Sequence, residues 1–280
     1  MPLVWCRGRN WGDALSPVVV SLISGRQVVH REGVHHHRYL AIGSILGGAN
    51  SRAEIWGSGF IRAEERVLEP PLAIHAVRGP LTRRSLLDQG IECPQVYGDP
   101  ALLLPRFLNP QVDKKYSIGI ISHYVDKGHP WVERNGREAD VRVIDIESGI
   151  EDFVRAVLSC EIILSSSLHG LICADAYGVP AAWIRLSNRL DGGSFKFRDY
   201  RQSIGADDPV PVQIDEHTSL SEASRSAVLN PLKIDLRKLL LSFPLLRDDL
   251  RQEVETATAV SCGLPESFAS ARLSDVAATA

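Results

Sequence analysis

The sequence predicts an α/β protein made of two wound parallel-sheet units followed by a helical C-terminal segment. Strand-like apolar runs alternate with helix signals over residues 2–100, and the alternation restarts after residue 115, as parallel strands joined by crossover helices require. The length of 280 residues also suits two small domains better than one ordinary domain. Two such units in tandem predict a cleft between them.

The first unit follows the chain in a regular order. A strand at residues 2–5 leads into a polar loop, and a helix follows in which Ser16 is the cap, Pro17 takes the first position and Gly25 ends the helix. Further strands are separated by Gly-rich or charged turns, and a second helix opens at Gly79-Pro80 and ends at residue 89. The further strands are predicted at residues 27–30, 39–43, 53–57, 73–78 and 95–97.

The second unit is the more regular one, and it begins after a linker predicted at residues 104–115. Its strands are predicted at residues 117–122, 141–145, 161–164 and 181–184, and its helices at residues 150–159 and 168–177. From residue 218 onward the pattern is helical, with a helix at 233–243 and another beginning at Pro244. The predicted domains are residues 1–110 and 111–232, followed by a helical extension at 233–280 whose Ala- and Ser-rich end is a partly disordered tail.

Composition and charge exclude several classes of protein. The chain is 44% hydrophobic and 23% charged, with 31 Lys and Arg against 34 Asp and Glu, so a broad nucleic-acid-binding face is not expected. The longest uncharged stretches, residues 39–51 and 162–174, are shorter than the roughly eighteen residues of a membrane span. The N-terminus resembles no secretory signal, and the five scattered cysteines are typical of reduced thiols. These features predict a cytoplasmic protein.

The strongest local signal is the run from Ser165 to Gly170, which directly follows a buried strand and opens a helix. Ligands bind at the carboxyl ends of strands in wound sheets, and the free amides of a helix N-terminus attract a phosphate or carboxylate. His169 would stand at that point and could hydrogen-bond or protonate an anion near neutral pH. Equally well, the serines could cap the helix while His169 satisfies a backbone carbonyl.

The run Asn10-Trp11-Gly12-Asp13 occupies the equivalent position in the first unit, between its first strand and first helix. Asn10 and Asp13 could bind sugar hydroxyls or accept a proton, and Gly12 would let the backbone approach a ligand. An ordinary turn with a capping aspartate is the other interpretation, and local pattern alone favours it.

Other strand ends carry weaker signals. Ser58 lies in a Gly-x-Gly turn, Arg78 could reach a carboxylate with its forked donors, and His123 follows the first strand of the second unit. The run from His35 to His37 has no carboxylate at ligand spacing, so a solvated loop is favoured and no metal site is predicted. No phosphate-binding or dinucleotide-binding glycine motif occurs, which disfavours ATP hydrolysis and NAD binding.

Six motifs in order resemble the polysaccharide pyruvyl transferase family over roughly residues 3–205. They are Asn10-Trp-Gly-Asp13, Gly43-Ser-Ile-Leu46, Ile55-Trp-Gly-Ser-Gly-Phe60, Ala76-Val-Arg-Gly-Pro80, Tyr97-Gly-Asp-Pro-Ala101 and the run from Ser166 to Pro180. Residues 195–205 resemble the branch that acts on bacterial exopolysaccharides such as succinoglycan and xanthan. The resemblance implies two Rossmann-like domains in a glycosyltransferase-B-like arrangement, the first on the acceptor side and the second on the donor side.

The resemblance also implies the substrates. The donor would be phosphoenolpyruvate, with no cofactor, and the acceptor a saccharide, of a lipid-linked repeat unit, that receives a pyruvate ketal as phosphate is released. The protein would then be cytoplasmic and peripheral at the inner face of the plasma membrane.

The resemblance places His169 in the donor site, as general acid or phosphate ligand, with Ser167, Leu168 and Gly170 beside it. Asp13 and Asn10 become candidates for the base or the acceptor side, which also takes Gly12 and Ser58.

One residue departs from the family pattern, because Ser167 stands where many members carry an arginine. The anion clamp must then come from elsewhere, and His123 is a further donor-side candidate. The basic residues available for the clamp are Arg78, Lys127, Arg185, Arg189 and Lys196. Two alternatives stay open: a nucleotide-sugar glycosyltransferase of the same architecture, and a non-catalytic glycan-binding or assembly protein with a degenerate donor site.

Overall fold

A computed structural model describes residues 1–8, 10–206, 210–230 and 232–257, and it confirms the α/β class with two parallel sheets. The strands are β1 (Pro2–Val4), β2 (Val29–His30), β3 (Arg38–Leu40), β4 (Ala53–Trp56), β5 (Ala73–Ala76), β6 (Tyr116–Ile121), β7 (Val141–Val143), β8 (Cys160–Ser165), β9 (Ala181–Arg185) and β10 (Val212–Gln213). The helices are α1 (Trp11–Ser24), α2 (Pro80–Leu87), α3 (Pro130–Asn135), α4 (Ile150–Leu158), α5 (Leu168–Ala176), α6 (Phe195–Ser203), α7 (Leu220–Ser224), α8 (Leu236–Leu241) and α9 (Asp248–Ala257).

Each half of the chain forms one parallel sheet. The first has the strand order β2-β1-β3-β4-β5, and the second has the order β10-β9-β8-β6-β7. Their central strands are buried on both faces, which explains why they read as continuous apolar runs rather than as alternating ones. In the second sheet Ile120 lies beside Leu164, and Ser165 lies beside Trp183. The carboxyl ends of β6, β8 and β9 therefore meet at one edge.

Helix α1 starts earlier than the sequence predicts. Asn10, and not Ser16, is its N-cap, because the Asn10 side chain accepts a hydrogen bond from the Gly12 amide. Pro17 lies inside the helix instead of at its first position. A proline there removes one backbone hydrogen bond, but the helix is buried along almost its whole length, and that burial outweighs the lost bond. Gly25 ends the helix with φ 65°, as predicted.

Most of the remaining elements agree with the predicted ones to within a few residues. The strand predicted at residues 95–97 is wrong, because only an isolated bridge from Tyr97 to Val77 forms there, and α6 was not predicted. The linker also differs. Pro100–Arg106 forms a 3-10 helix whose side chains are largely buried, so the predicted linker starts too early. Short elements with few apolar residues, among them α3 and β10, were missed. The predicted domain boundaries at residues 110 and 232 stay predictions, and the predicted tail, which includes Cys262, lies outside the described residues from 258 onward.

The C-terminal helices return to the first sheet. The Trp56 indole N–H donates to the Leu239 carbonyl at 2.9 Å, and its ring lies 4.5 Å from that of Phe243. Near α9, the Arg247 amide donates to the Ile23 carbonyl at the end of α1. One hydrophobic core therefore runs from α1 through α4 and α5 to the C-terminal helices. Among the described residues, no helix is long and apolar enough to cross a membrane.

Candidate functional site

The two halves meet where the first turn of α1 faces the first turn of α5. The Trp11 amide donates to the Ile146 carbonyl at 2.8 Å, and its indole N–H donates to the Ile150 carbonyl at 3.2 Å. A Cβ on Gly12 would lie only 2.2 Å from the His169 ring, so the helix can approach the ring this closely only with glycine there. The sequence predicted that Gly12 would let a ligand approach the backbone, whereas in the structure the His169 ring lies in that space.

His169 is held in one tautomer by Asn10. The Asn10 side-chain oxygen accepts the Gly12 amide proton at 3.1 Å and lies 3.1 Å from His169 Nδ1. Because this oxygen can only accept, the hydrogen-bond network assigns the proton to Nδ1 and leaves Nε2 with a free lone pair. Burial, helped by the positive charges of Lys196 and Arg78, lowers the pKa of His169 to about 3. The ring is therefore a neutral base in the free protein at pH 7.

Asp13, one residue beyond Gly12, has the opposite character. Burial raises the pKa of its carboxyl to about 7, although a hydrogen bond from Cys6 and the charge of Lys196 both lower it. A carboxyl with this pKa is protonated in a large fraction of molecules at neutral pH, so it can donate a proton as well as accept one.

The serine run that precedes α5 organises the turn. Ser165 Oγ accepts the Ser167 amide proton and donates to the Ser167 carbonyl, and Ser166 Oγ accepts the His123 amide proton at 2.9 Å. In the described chain the first three amides of α5, those of Leu168, His169 and Gly170, have no hydrogen-bond partner. They are free to bind an anion, as predicted for a helix N-terminus at a strand end.

His123 lies at the same site and is also neutral. Burial, followed by the charge of Lys196, lowers the pKa of His123 to about 4, with Asp126 acting in the opposite direction. Its Nδ1 accepts a long hydrogen bond from the Val125 amide at 3.4 Å, and its ring lies 4.2 Å from that of Tyr124. The charge of His123 also lowers the pKa of His169, so the two rings are neighbours; the donor-side role of His123 stays a prediction.

Arg78 is engaged by the protein itself. Its guanidinium donates to Asp199 at 3.0 Å, to Ser44 at 2.6 Å and to the Phe60 carbonyl at 2.6 Å, and the side chain is only 1% exposed. Asp199 also accepts from the Thr82 amide and hydroxyl. This buried ion pair ties α6 to the start of α2, and the structure gives Arg78 a structural role in place of the expected anion clamp.

Three other candidate basic residues have partners elsewhere in the structure. Lys127 is exposed and paired with Asp145 and Glu147, while Arg189 pairs with Asp126 at 3.0 Å. The Arg185 guanidinium lies 5.8 Å above the Trp183 ring at the end of β9.

Ser58 and the run from His35 to His37 are also engaged in contacts within the protein. Ser58 is fully buried, and its hydroxyl donates to the Gly43 carbonyl at 2.9 Å, so it presents no group to an acceptor. In the histidine run, His37 bonds Glu54, which also pairs with His75 across the first sheet. No cluster of His, Cys, Asp or Glu able to hold a metal occurs among the residues that the structure describes.

Two further buried charged residues are Asp99, which received no role from the sequence, and Lys196, which was one of five candidates for the anion clamp. Asp99 is 1% exposed, and its Oδ2 has no hydrogen-bond partner in the described part of the chain. Burial raises the pKa of Asp99 to about 6. Lys196 is 8% exposed, and burial, followed by the charge of Arg78, lowers its pKa to about 8. The charge of Asp99 acts on Asp13 and that of Lys196 acts on His169; both relations follow from tertiary packing, which no local pattern shows.

A small cavity of about 80 Å³ lies beside α6 at the carboxyl end of β9. Its floor contains the Trp183 and Phe197 rings, which stack with centroids 4.3 Å apart. The lining residues are Trp183, Arg185, Ser187, Asn188, Leu190, Gly193 and Phe197. Aromatic faces edged by polar side chains suit a partly polar ligand.

The fold and the site together define a two-sheet α/β protein in which a helix N-terminus, a neutral histidine and a carboxyl of raised pKa converge. The family model for polysaccharide pyruvyl transferase matches residues 35–188, more than half of the chain. The chain therefore belongs to the polysaccharide pyruvyl transferase family. The match includes His123 and His169 and ends before Lys196.

Two curated relatives extend the comparison. The chain is 33% identical over 171 residues to "Uncharacterized protein L143" of Acanthamoeba polyphaga mimivirus, which is 59% of each chain. It is 30% identical over 206 residues to "Succinoglycan biosynthesis protein ExoV" of Rhizobium meliloti (strain 1021), which is 70% of this chain and 62% of that protein. The chain thus matches about 60% of the length of each of these relatives.

Proposed function

We propose that the protein transfers the enolpyruvyl group of phosphoenolpyruvate onto two hydroxyls of a sugar, in an exopolysaccharide or related glycan intermediate. Membership of the pyruvyl transferase family and the likeness to a succinoglycan biosynthesis protein support this function. The observation that carries it is the contact between the two halves, in which Asn10 and Gly12 hold a neutral His169 at the open N-terminus of α5.

The proposed reaction needs proton transfer in both directions. An acid gives a proton to the methylene carbon of phosphoenolpyruvate, which becomes a methyl group, while a sugar hydroxyl bonds to the adjacent carbon and loses its proton. The bond from that carbon to the phosphate oxygen then breaks, and a second hydroxyl bonds to the same carbon. The two protons lost by the hydroxyls equal those gained by the methylene carbon and the phosphate.

The site offers both kinds of proton-transfer group. Asp13, with a pKa of about 7, is the group suited to protonate the methylene carbon. His169 Nε2 carries a lone pair in the free protein and is suited to take the proton of a hydroxyl. The sequence suggested His169 as acid or phosphate ligand and Asp13 as base or acceptor-side residue, so the proposed division reverses the acid and base roles of that interpretation.

The anionic donor fits the N-terminus of α5. The amides of Leu168, His169 and Gly170 point out of the helix start and would bind phosphate oxygens. A bound phosphate would also offset the positive charges that lower the pKa of His169, so that the ring can hold the proton it takes.

The acceptor is proposed to be a saccharide, carried on a lipid. The cavity lined by Trp183 and Arg185 lies at the end of β9, the strand beside β8, which ends at Ser165. Its aromatic faces are bordered by polar groups and suit contact with a sugar ring. We also propose the glycosyltransferase-B-like arrangement, which is supported by the contact between Gly12 and His169 and by the return of α8 and α9 to the first half. Phosphoenolpyruvate is a cytoplasmic metabolite, so we propose a cytoplasmic site of action at the inner membrane face.

The choice of donor tests the proposal. The purified protein is incubated with lipid-linked glycan from an exopolysaccharide-producing bacterium and with either phosphoenolpyruvate or nucleotide sugars. We expect acceptor-dependent release of phosphate from phosphoenolpyruvate and an acid-labile ketal on the glycan. Release of nucleotide instead would favour the glycosyltransferase alternative, and glycan binding without turnover of either donor would favour a non-catalytic protein.

A further inference from the structure

We propose that Lys196 is the cation that binds the phosphate of the donor. The proposal names a residue for the donor site and rests on the proposed function only in taking phosphoenolpyruvate as the ligand. The family match ends at residue 188, so Lys196 is assigned from its place in this structure.

Lys196 is a buried ammonium group without an ion pair. It is the second residue of α6, it is 8% exposed, and in the part of the chain that the structure describes it has neither a hydrogen bond nor a salt bridge. Its Nζ lies 5.7 Å from the Phe197 ring centroid. A buried cation with so few partners destabilises a fold, so its presence here is best explained by a ligand that supplies the missing negative charge.

The charge of Lys196 acts on the residues of the site. It lowers the pKa of His123, of His169 and of Asp13, which lie on three different segments that meet at the α5 N-terminus. The packing agrees, because Lys196 Nζ lies 5.7 Å from the Phe197 ring, and that ring stacks on Trp183, the β9 neighbour of Ser165 just before α5. An anion at the open amides of α5 would be within the field of Lys196.

The other buried cations are already occupied. Among the described residues, the buried basic side chains besides Lys196 are Arg38, Arg78 and Arg201. Arg38 donates to two backbone carbonyls, and Arg78 pairs with Asp199. Arg201 makes no hydrogen bond to the described residues through its buried Nε and Nη1, but its charge is offset by Asp175 at 3.6 Å. Lys196 is thus the one described buried cation whose charge is left for a ligand.

The ligand that suits this site is a phosphate dianion. Two carboxyls act on the charge of Lys196: Asp191 is exposed and paired with Arg62, and burial keeps Asp13 largely protonated below its pKa of about 7. A lysine ammonium is a compact charge with three donors, and together with several helix amides it matches a tetrahedral phosphate. Ser167, on the same turn, contributes no charge.

The test compares Lys196→Gln and Lys196→Arg with Lys115→Gln, which removes the same charge from an exposed position just before β6. Binding of inorganic phosphate and of phosphoenolpyruvate is measured by titration calorimetry, and thermal unfolding is followed in parallel. Loss of one charged hydrogen-bonding group should weaken both ligands by about tenfold to a hundredfold in Lys196→Gln. Lys196→Arg should recover part of the affinity, and Lys115→Gln should bind like the wild type.

Thermal unfolding separates a binding role from a structural one. Because Lys196 has no partner to leave unpaired, Lys196→Gln should unfold at the same temperature as the wild type or at a higher one. A clear loss of stability in Lys196→Gln, restored by arginine, would overturn the proposal, because the lysine would then be part of the fold.

The two ligands separate the inference from the proposed function. Wild-type affinity for phosphoenolpyruvate in Lys196→Gln would overturn the role of Lys196 and leave the donor in place. Binding of inorganic phosphate that depends on Lys196, without binding of phosphoenolpyruvate, would support the phosphate site and contradict the proposed donor. Failure of the wild type to bind either ligand would overturn both.

Discussion

At the scale of single residues, the site combines an aspartate and a histidine whose pKa values have exchanged their usual order. An ordinary aspartate is ionised at pH 7 and an ordinary histidine is partly protonated. Here burial makes His169 a neutral base and brings the pKa of Asp13 to about 7. One environment therefore supplies an acid and a base at the same pH, which is what a reaction with two opposite proton transfers needs.

Asp13→Asn should stabilise the protein at neutral and alkaline pH. The pKa of this carboxyl rises from 3.8 to about 7 on folding, so the folded state holds the proton more tightly than the unfolded chain does. The free energy of unfolding of the wild type therefore falls as the pH rises from about 4 to about 7, by at most about 1.4 kcal/mol per pH unit. We expect the variant to gain several degrees in melting temperature at pH 8 and nothing at pH 4, measured by thermal unfolding.

Asp145→Asn provides the matched control. Lys127 lowers the pKa of Asp145, so removal of this carboxylate should cost stability at pH 8, the opposite sign. An Asp13→Asn variant that is destabilised at pH 8 would mean that Asp13 is ionised and paired there, contrary to the proposed role as an acid.

Gly12→Ala should impair the site while the fold remains. The new Cβ would lie 2.2 Å from the His169 ring, which must move, whereas alanine otherwise suits a helix. A displacement of about 1 Å at a reacting group costs roughly a hundredfold in rate. We expect that loss in phosphate release, with thermal unfolding little changed. Gly48→Ala, where a Cβ meets no atom within 4 Å, is the control and should keep wild-type turnover; equal turnover in both variants would contradict the packing described.

At the scale of elements, strand–turn–helix junctions could be predicted from the sequence and helix contacts could not. The serine run before α5 and the Asn10 turn before α1 were recognised because each joins an apolar strand to a helix within a few residues. The start of α1 was misplaced because Pro17 normally marks a first turn, and tertiary burial overrode that preference. Arg78 was predicted to be available for an anion because its partner, Asp199, lies 121 positions away in the sequence and could not be recognised from the local pattern.

Arg78→Ala should destabilise the protein rather than only weaken donor binding. The variant leaves Asp199 buried without its cation, which costs about 3–5 kcal/mol. Urea unfolding measures this loss. Arg84→Ala, which breaks an exposed pair with Asp88 on the same helix, should stay within about 0.5 kcal/mol of the wild type. Full stability with a large loss of phosphoenolpyruvate affinity in Arg78→Ala would instead support the clamp expected from the sequence.

At the scale of the whole molecule, the tandem of two parallel-sheet units followed from hydrophobic periodicity and length. The return of α8 and α9 to the first sheet could not be predicted in this way, because it depends on which apolar faces remain uncovered after each sheet has formed. Trp56 illustrates this, since its indole in β4 is covered by residues of α8 and the segment after it. The candidate site has the same origin: Asn10, His169 and Lys196 come from three distant segments, and only the assembled chain brings them together.

A structure of the protein with phosphoenolpyruvate bound would test the proposed donor site most directly. We expect the phosphate at the N-terminus of α5, hydrogen-bonded to the amides of Leu168 to Gly170 and to Lys196 Nζ. The enol carbons should then lie between His169 and Asp13. Phosphoenolpyruvate bound elsewhere, with the α5 amides and Lys196 free of the ligand, would contradict the proposed donor site.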